Sequence, residues 1–264
     1  MVPQAALNAW AQQAPWPNDL DIEQDLILSR SIVEIANHPL LGGELAFRGG
    51  TSLHKLHVPQ PWRYSNDLDY VRTTNGPIKE LMAAVRETMH AIGLEETSYE
   101  VKSDIANLKF DGEPTRGPGG LRVKVEINTR ETTPFAERIA LPYTVTNPWF
   151  TARADVLTFS LEELLGTKLR ALYQRRKGRD LFDLWIGLEH LSADPDAVID
   201  AYHHYLALSG VSVDPAEFER NLEAKVSHEG FRRDLDQLLR GLPAGYTPEV
   251  GVAVVRDRIL ARLR

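Results

Sequence analysis

The stretch Phe47–Val71, FRGGTSLHKLHVPQPWRYSNDLDYV, decides how this chain is read. ELAF, which leads into it, has the pattern of a short strand, RGG that of a turn, and TSLHKLH that of the first turns of a helix entered through Thr51 as its cap. A strand, a glycine turn and a helix start bring free N–H groups and the positive end of a helix dipole to one point, which favours an anion. A basic loop follows and then SNDLDYVR, where strand alternation sends Asp67 and Asp69 to one face and Leu68 and Tyr70 to the other. An anion cradle and a carboxylate pair so close together ask for a phosphate and a metal.

A third carboxylate comes from further along the chain. YEVKSDIANLKFDG and GLRVKVEINTRE read as the two arms of a long hairpin joined through EPTRGPGG. In the second arm Val123, Val125 and Ile127 face one side, while Arg122, Lys124, Glu126 and Asn128 face the other. Two aspartates at i and i+2 on a strand can hold a pair of divalent cations about 3.5–4 Å apart, with a carboxylate from a neighbouring strand completing one shell. Asp67, Asp69 and Glu126 fit that demand. Taken singly, DLD also reads as a solvated strand edge and RGGTS as a structural turn. The chain has neither a Walker A run nor the glycine spacing of a dinucleotide fingerprint.

Around this centre, LDIEQDLILSRSIVEIANHPLL reads as an opening helix after a Pro- and Gln-rich lead, IKELMAAVRETMHAIGL as an amphipathic helix covering a sheet, and ADVLTF as another strand. At Ser160 the pattern turns helical, with SLEE matching a capping box, so two lobes are expected, residues 1–159 and 160–264. The fold class is α+β, a mixed-sheet lobe followed by a helical one.

In the second lobe Leu161, Leu164, Leu165, Lys168 and Leu172 share one helix stripe, so a lysine stands where a leucine is expected. It either snorkels to the rim or reaches into a cleft towards an anion; in the second case Met at 168 should keep stability and lose activity. The run QRRKGRD is either a solvated face or a holder of triphosphate or nucleic acid. Asp180, just beyond Gly178, pairs with a nearby Arg or orients a nucleotide. His203 and His204 diverge on a helix, and His54 and His57 have no further zinc ligand in view.

Composition narrows the classes. Apolar residues make up 43% and charged residues 25%, as in a soluble globular protein. There is no cysteine, which excludes disulfides and thiolate chemistry, and 30 Lys and Arg against 37 Asp and Glu leave −7, which argues against coating nucleic acid by charge alone. No run approaches the roughly 18 apolar residues of a membrane span, and the first residues lack a secretion signal, so the cytoplasm is expected.

FRGGTSLHKL, RYSNDLDYV, VKVEIN and LLGTKLRALYQRRKGRDLFDL together resemble the AbiEii/MenT family of toxin nucleotidyltransferases in the DNA polymerase beta-like superfamily, over about Asp21 to Trp185. The resemblance implies a nucleotidyltransferase fold in which Gly49, Gly50 and Thr51 bind the triphosphate, with Arg48 before them where Lys is frequent and Ser65 on phosphate. It implies magnesium on Asp67 and Asp69, with Glu126 as third carboxylate of a two-metal site, and a catalytic Lys168 and Asp180 on later helices. The implied reaction moves a nucleoside monophosphate from an NTP to an RNA, for MenT-like members the tRNA 3′ end, which blocks translation; an AbiEi-type antitoxin is the implied partner. A transferase acting on a small molecule such as an aminoglycoside, or a nucleotide-binding module without catalysis, are the alternatives.

Overall fold

The computed structural model describes residues 2–14, 16–115, 119–239 and 243–263. It divides into two units, Met1–Phe159 and Ser160–Arg264. Among the described residues no helix is long and apolar enough to cross a membrane.

In the first unit α1 (Gln4–Trp10), α2 (Asp19–Asn37) and α3 (Leu41–Glu44) lead to β1 (Leu45–Arg48). α4 (Gly49–Ser52) starts at once and widens into a π-helical turn over Leu53–His57. Then come β2 (Asp67–Arg72), α5 (Lys79–Ile92), β3 (Glu95–Lys102), β4 (Ile105–Gly112), β5 (Leu121–Asn128), β6 (Ile139–Thr146) and β7 (Thr151–Thr158). Among the described residues the seven strands form one sheet in the order β3-β4-β5-β2-β1-β7-β6. Neighbours run antiparallel except β2 with β5 and β1 with β7, so the sheet is mixed and the class is α+β.

Alternation gives this sheet one apolar face. Leu68, Tyr70, Leu108, Phe110, Val123, Val125 and Ile127 are all buried, and α2 packs against β5, β6, β7 and α5. α2 begins where the Asn18 side chain accepts from the Asp21 N–H, and α5 ends at Gly93, whose φ of +94° suits a residue without Cβ.

Four sequence expectations change. The lead is partly helical, because Trp10 of α1 buries its ring and donates Nε1–H to the buried Asp25 (2.8 Å). The first hairpin arm is two strands, β3 and β4, turned at Ser103 and Asp104, both with positive φ. β6, an edge strand of alternating burial, went unread. Thr51 does not cap: α4 already starts at Gly49, so the Thr51 hydroxyl is turned to other partners. The joining segment EPTRGPGG lies partly outside the described residues.

The second unit is helical among the described residues: α6 (Leu161–Gln174), α7 (Gly178–Glu189), α8 (Pro195–Leu208), α9 (Pro215–Val226), α10 (Glu229–Arg232) and α11 (Pro248–Arg258). Ser160 Oγ accepts from the Glu163 N–H at 3.1 Å, so the capping residue is the one the motif indicates. Asp194, Asp214 and Thr247 cap α8, α9 and α11, each followed by a proline in the first turn, where a missing N–H costs nothing. α6 packs on α7 and α8, and α7 on α11.

Candidate active site

The sheet brings together residues that the sequence holds far apart. Across the parallel β2/β5 pair Asp67 lies opposite Lys124 and Asp69 opposite Glu126, while across β1/β2 Arg48 lies opposite Asp69. Next out, β4 sets Lys109 opposite Lys124 and Asn107 opposite Glu126. The polar face therefore carries two neighbouring rungs, Lys109–Lys124–Asp67 and Asn107–Glu126–Asp69–Arg48. The strand alternation of SNDLDYVR and LRVKVEIN dictates this, since every second residue of each strand turns inward to the core.

Electrostatics on this face are crowded with negative charge. Burial pushes the Asp69 carboxyl up to about 6, and the neighbouring charges of Asp67 and Glu126 add to the effect, with Lys124 and Arg48 opposing it. Lys124 Nζ stands 2.7 Å from Glu126 Oε2. Burial alone would lower the Lys124 pKa, but Glu126, Asp67 and Asp69 outweigh it and raise it. Arg48 is ion-paired to Glu131, 2.5 Å away. Among the described residues, no three carboxylate or imidazole groups are drawn together as a ready-made metal cage.

The glycine turn is pressed onto this face. Gly49 has φ +81°, and a Cβ there would stand 2.2 Å from Asp69 Oδ2. A Cβ on Gly50 would stand 2.4 Å from Arg63 Nη2 and 3.1 Å from Ser65 Oγ. Gly49 demands glycine, since its φ is left-handed and the Asp69 side chain fills the Cβ position, whereas at Gly50 the neighbour is the end of the Arg63 guanidinium. Thr51 Oγ1 donates to the Asp67 carbonyl (2.5 Å) and is hydrogen-bonded to Ser65 Oγ (2.9 Å), so the turn, the Pro59–Ser65 loop and the start of β2 are fastened together. Behind the turn lies a cleft of about 180 Å³ whose wall includes Thr51, His54, Lys55, Arg63 and Ser65.

Sequence reasoning missed Arg63. It is 2% exposed although it belongs to a loop of prolines and polar residues, and Nη1 donates to the Tyr64 carbonyl at 3.0 Å. The signal was its place between Trp62 and Tyr64, aromatic neighbours that take a basic residue out of water.

Lys168 and Asp180 belong to the second unit and meet there. Lys168 is 6% exposed, and its ammonium stands 3.3 Å from Asp180 Oδ1 and 2.8 Å from Asp183 Oδ2, both carboxylates fully buried. Arg175 holds Asp180 through two hydrogen bonds of 2.7 and 2.8 Å. Burial would raise the Asp180 pKa, but Lys168 and Arg175 hold it below the usual carboxylate value. The lysine on the apolar stripe does reach an anion, and that anion is the chain's own α7. The expectation that Met at 168 leaves stability intact does not survive this environment. Within the basic run, Lys177 and Arg179 pair with Asp234 at 3.5 and 3.8 Å.

The family described as nucleotidyl transferase AbiEii toxin, of a type IV toxin–antitoxin system, matches residues 31–256. No curated protein matches the chain in sequence. Among solved structures, the fold is similar to that of MenT4, a nucleotidyltransferase toxin from Mycobacterium tuberculosis, at 18% identity and a TM-score of 0.69, covering 98% of this chain and 90% of that one. It is also similar to JHP933 from Helicobacter pylori, at 15% identity and a TM-score of 0.56, covering 91% of this chain and 90% of that one. At such identities the likeness speaks for the fold.

Proposed function

The chain belongs to the AbiEii nucleotidyltransferase toxin family, and from that premise we propose that it transfers a nucleoside monophosphate from an NTP to an RNA acceptor, the tRNA 3′ end, in a reaction that depends on magnesium. A toxin–antitoxin family carries an antitoxin partner with it, here proposed to be of the AbiEi type. The observation that carries the reading is the carboxylate pair Asp67 and Asp69 on one strand face, abutted by a turn whose Gly49 has no room for a Cβ beside Asp69.

The residues fit a divalent cation. Asp67 and Asp69 project from one face, and the absent Cβ of Gly49 leaves the Asp69 carboxylate in place beside the turn. Such a cation, when bound, would screen the charge of the α-phosphate and lower the pKa of the acceptor hydroxyl. The chain's own groups do the rest. Gly49 and Gly50 let phosphate oxygens approach the main chain, with Arg63 and Ser65 flanking the turn and Arg48 adding positive charge at Asp69. The Thr51 hydroxyl keeps turn and strand in register, so phosphate and carboxylates hold a fixed spacing. Glu126, opposite Asp69, is the carboxylate placed to take the acceptor proton directly or through water. Lys168 and Asp180 are proposed to fix α6 against α7.

The test is direct. With magnesium, total RNA and each α-labelled NTP in turn, label should enter tRNA, and Asp67→Ala or Asp69→Ala should abolish it. Expression of the native chain should slow bacterial growth and the two variants should not. Label entering an aminoglycoside instead of RNA would replace the acceptor while keeping the chemistry; label entering nothing would sink both.

A further inference from the structure

The polar rungs hold a cation of the protein's own. Lys124 stands two residues before Glu126 on β5 and directly across from Asp67 on β2, with Nζ 2.7 Å from Glu126 Oε2. Its ammonium thus holds one of the three carboxylates, and the charges of Asp67 and Asp69 act on it as well. We propose that Lys124 serves as a tethered stand-in for one ion of a two-metal site, so that this site takes a single divalent cation, on Asp67 and Asp69, and Glu126 is held through Oε2 by the lysine and not by a second ion. This rests on the magnesium-dependent reading above and sets the number of ions and the role of Glu126 within it.

Charge and geometry both lead there. The three carboxylates bring a formal charge of −3 and Lys124 returns one, leaving −2 for a divalent ion to neutralise. A second divalent ion would meet the Lys124 ammonium at close range and would have to take Glu126 away from it. The Lys124 and Glu126 side chains are 32% and 29% exposed, enough to exchange with water but enough withdrawn for the charges to feel one another. Glu126 turns to the neighbouring lysine on its own strand. Lys124 is then a positioning residue: it holds Glu126 and supplies fixed positive charge beside the metal-binding pair.

The experiment counts ions on the full chain by titrating manganese(II) and following free ion by electron paramagnetic resonance, with melting temperature measured with and without manganese. The native chain should bind one ion. Lys124→Met, which keeps the stem, should bind a second ion or bind the first at least about 10-fold more tightly, because a fixed like charge has been removed. It should also melt lower than the native chain without manganese and regain the difference with it, whereas Lys124→Arg should bind one ion. A Met variant with native stoichiometry and affinity overturns the role of Lys124 and leaves the metal site standing, as does a native chain that binds two. Native binding that Asp67→Asn does not weaken overturns the metal site itself, and this inference with it.

Discussion

Replacing Lys168 by Met tests the internal logic of the second unit. The ammonium lies 2.8 Å from Asp183 and 3.3 Å from Asp180, with both carboxylates wholly buried and the lysine itself almost so. Arg175 continues to hold Asp180 with two hydrogen bonds, while Asp183 loses the ammonium 2.8 Å away. Removing one partner of a buried ion pair costs about 3–5 kcal/mol, because a charge stays behind in a poorly solvated place. For a unit the size of Ser160–Arg264, at roughly 4–8 °C per kcal/mol, its thermal transition should fall by about 12 °C or more. Calorimetry on the native chain and the variant measures this, and Lys168→Met with Asp183→Asn should recover part of the loss by removing one of the two buried carboxylate charges the lysine had faced. A single variant melting within about 3 °C of the native chain would refute the reasoning, for the lysine would then be a rim residue with its stem on apolar surface.

Gly49→Ala should reduce nucleotide transfer by about 10²-fold or more, since its methyl would stand 2.2 Å from Asp69 Oδ2 and displace a reacting group by a fraction of an ångström. Its melting temperature should fall only modestly, with the φ of +81° costing about 1–2 kcal/mol for a residue with Cβ. Arg63→Met should raise KM for NTP more than it lowers kcat if the guanidinium beside Gly50 binds phosphate; steady-state kinetics at saturating magnesium separates the two parameters. Lys225 donates to the last carbonyls of α6, at Leu172 and Tyr173, and burial lowers its pKa from 10.5 to about 8. Between those values the unfolded chain binds more protons than the folded one, so this group's contribution to stability rises with pH from about 8 to 10.5. Denaturant midpoints across that window should rise more in the native chain than in Lys225→Met.

Much of the site was legible because it rests on strand periodicity. A period of two by itself assigns Asp67 and Asp69 to one face of their strand and Glu126 to the polar face of its own, and pairing of β2 with β5 only has to bring like faces together. What the sequence leaves open is what the register decides, such as Lys124 falling opposite Asp67. The split of β3 from β4 was hidden because Ser103 and Asp104 make the turn without a glycine. Lys168 carried a usable hint: Asp183 lies between Phe182 and Leu184, so the chain holds two charges of opposite sign, each in an apolar setting, and such misfits predict one another. β6 stayed unread since a proline, Pro142, interrupts its alternation, which an edge strand tolerates.

The two parallel pairings have a consequence for synthesis. β2 must wait for β5 before Asp69 gains Glu126 as its neighbour, and β1 must wait for Thr158 of β7 before its far side is closed. Contacts between segments so distant along the chain form late, after the loop between them has been gathered in. A ribosome-bound chain that has emerged only as far as α5 would own both aspartates and the glycine turn yet lack the strand that assembles them into a working face. A chain cut short at that length lacks the β2/β5 pairing that sets Glu126 beside Asp69, so the polar face is the product of the completed sheet and of no shorter segment.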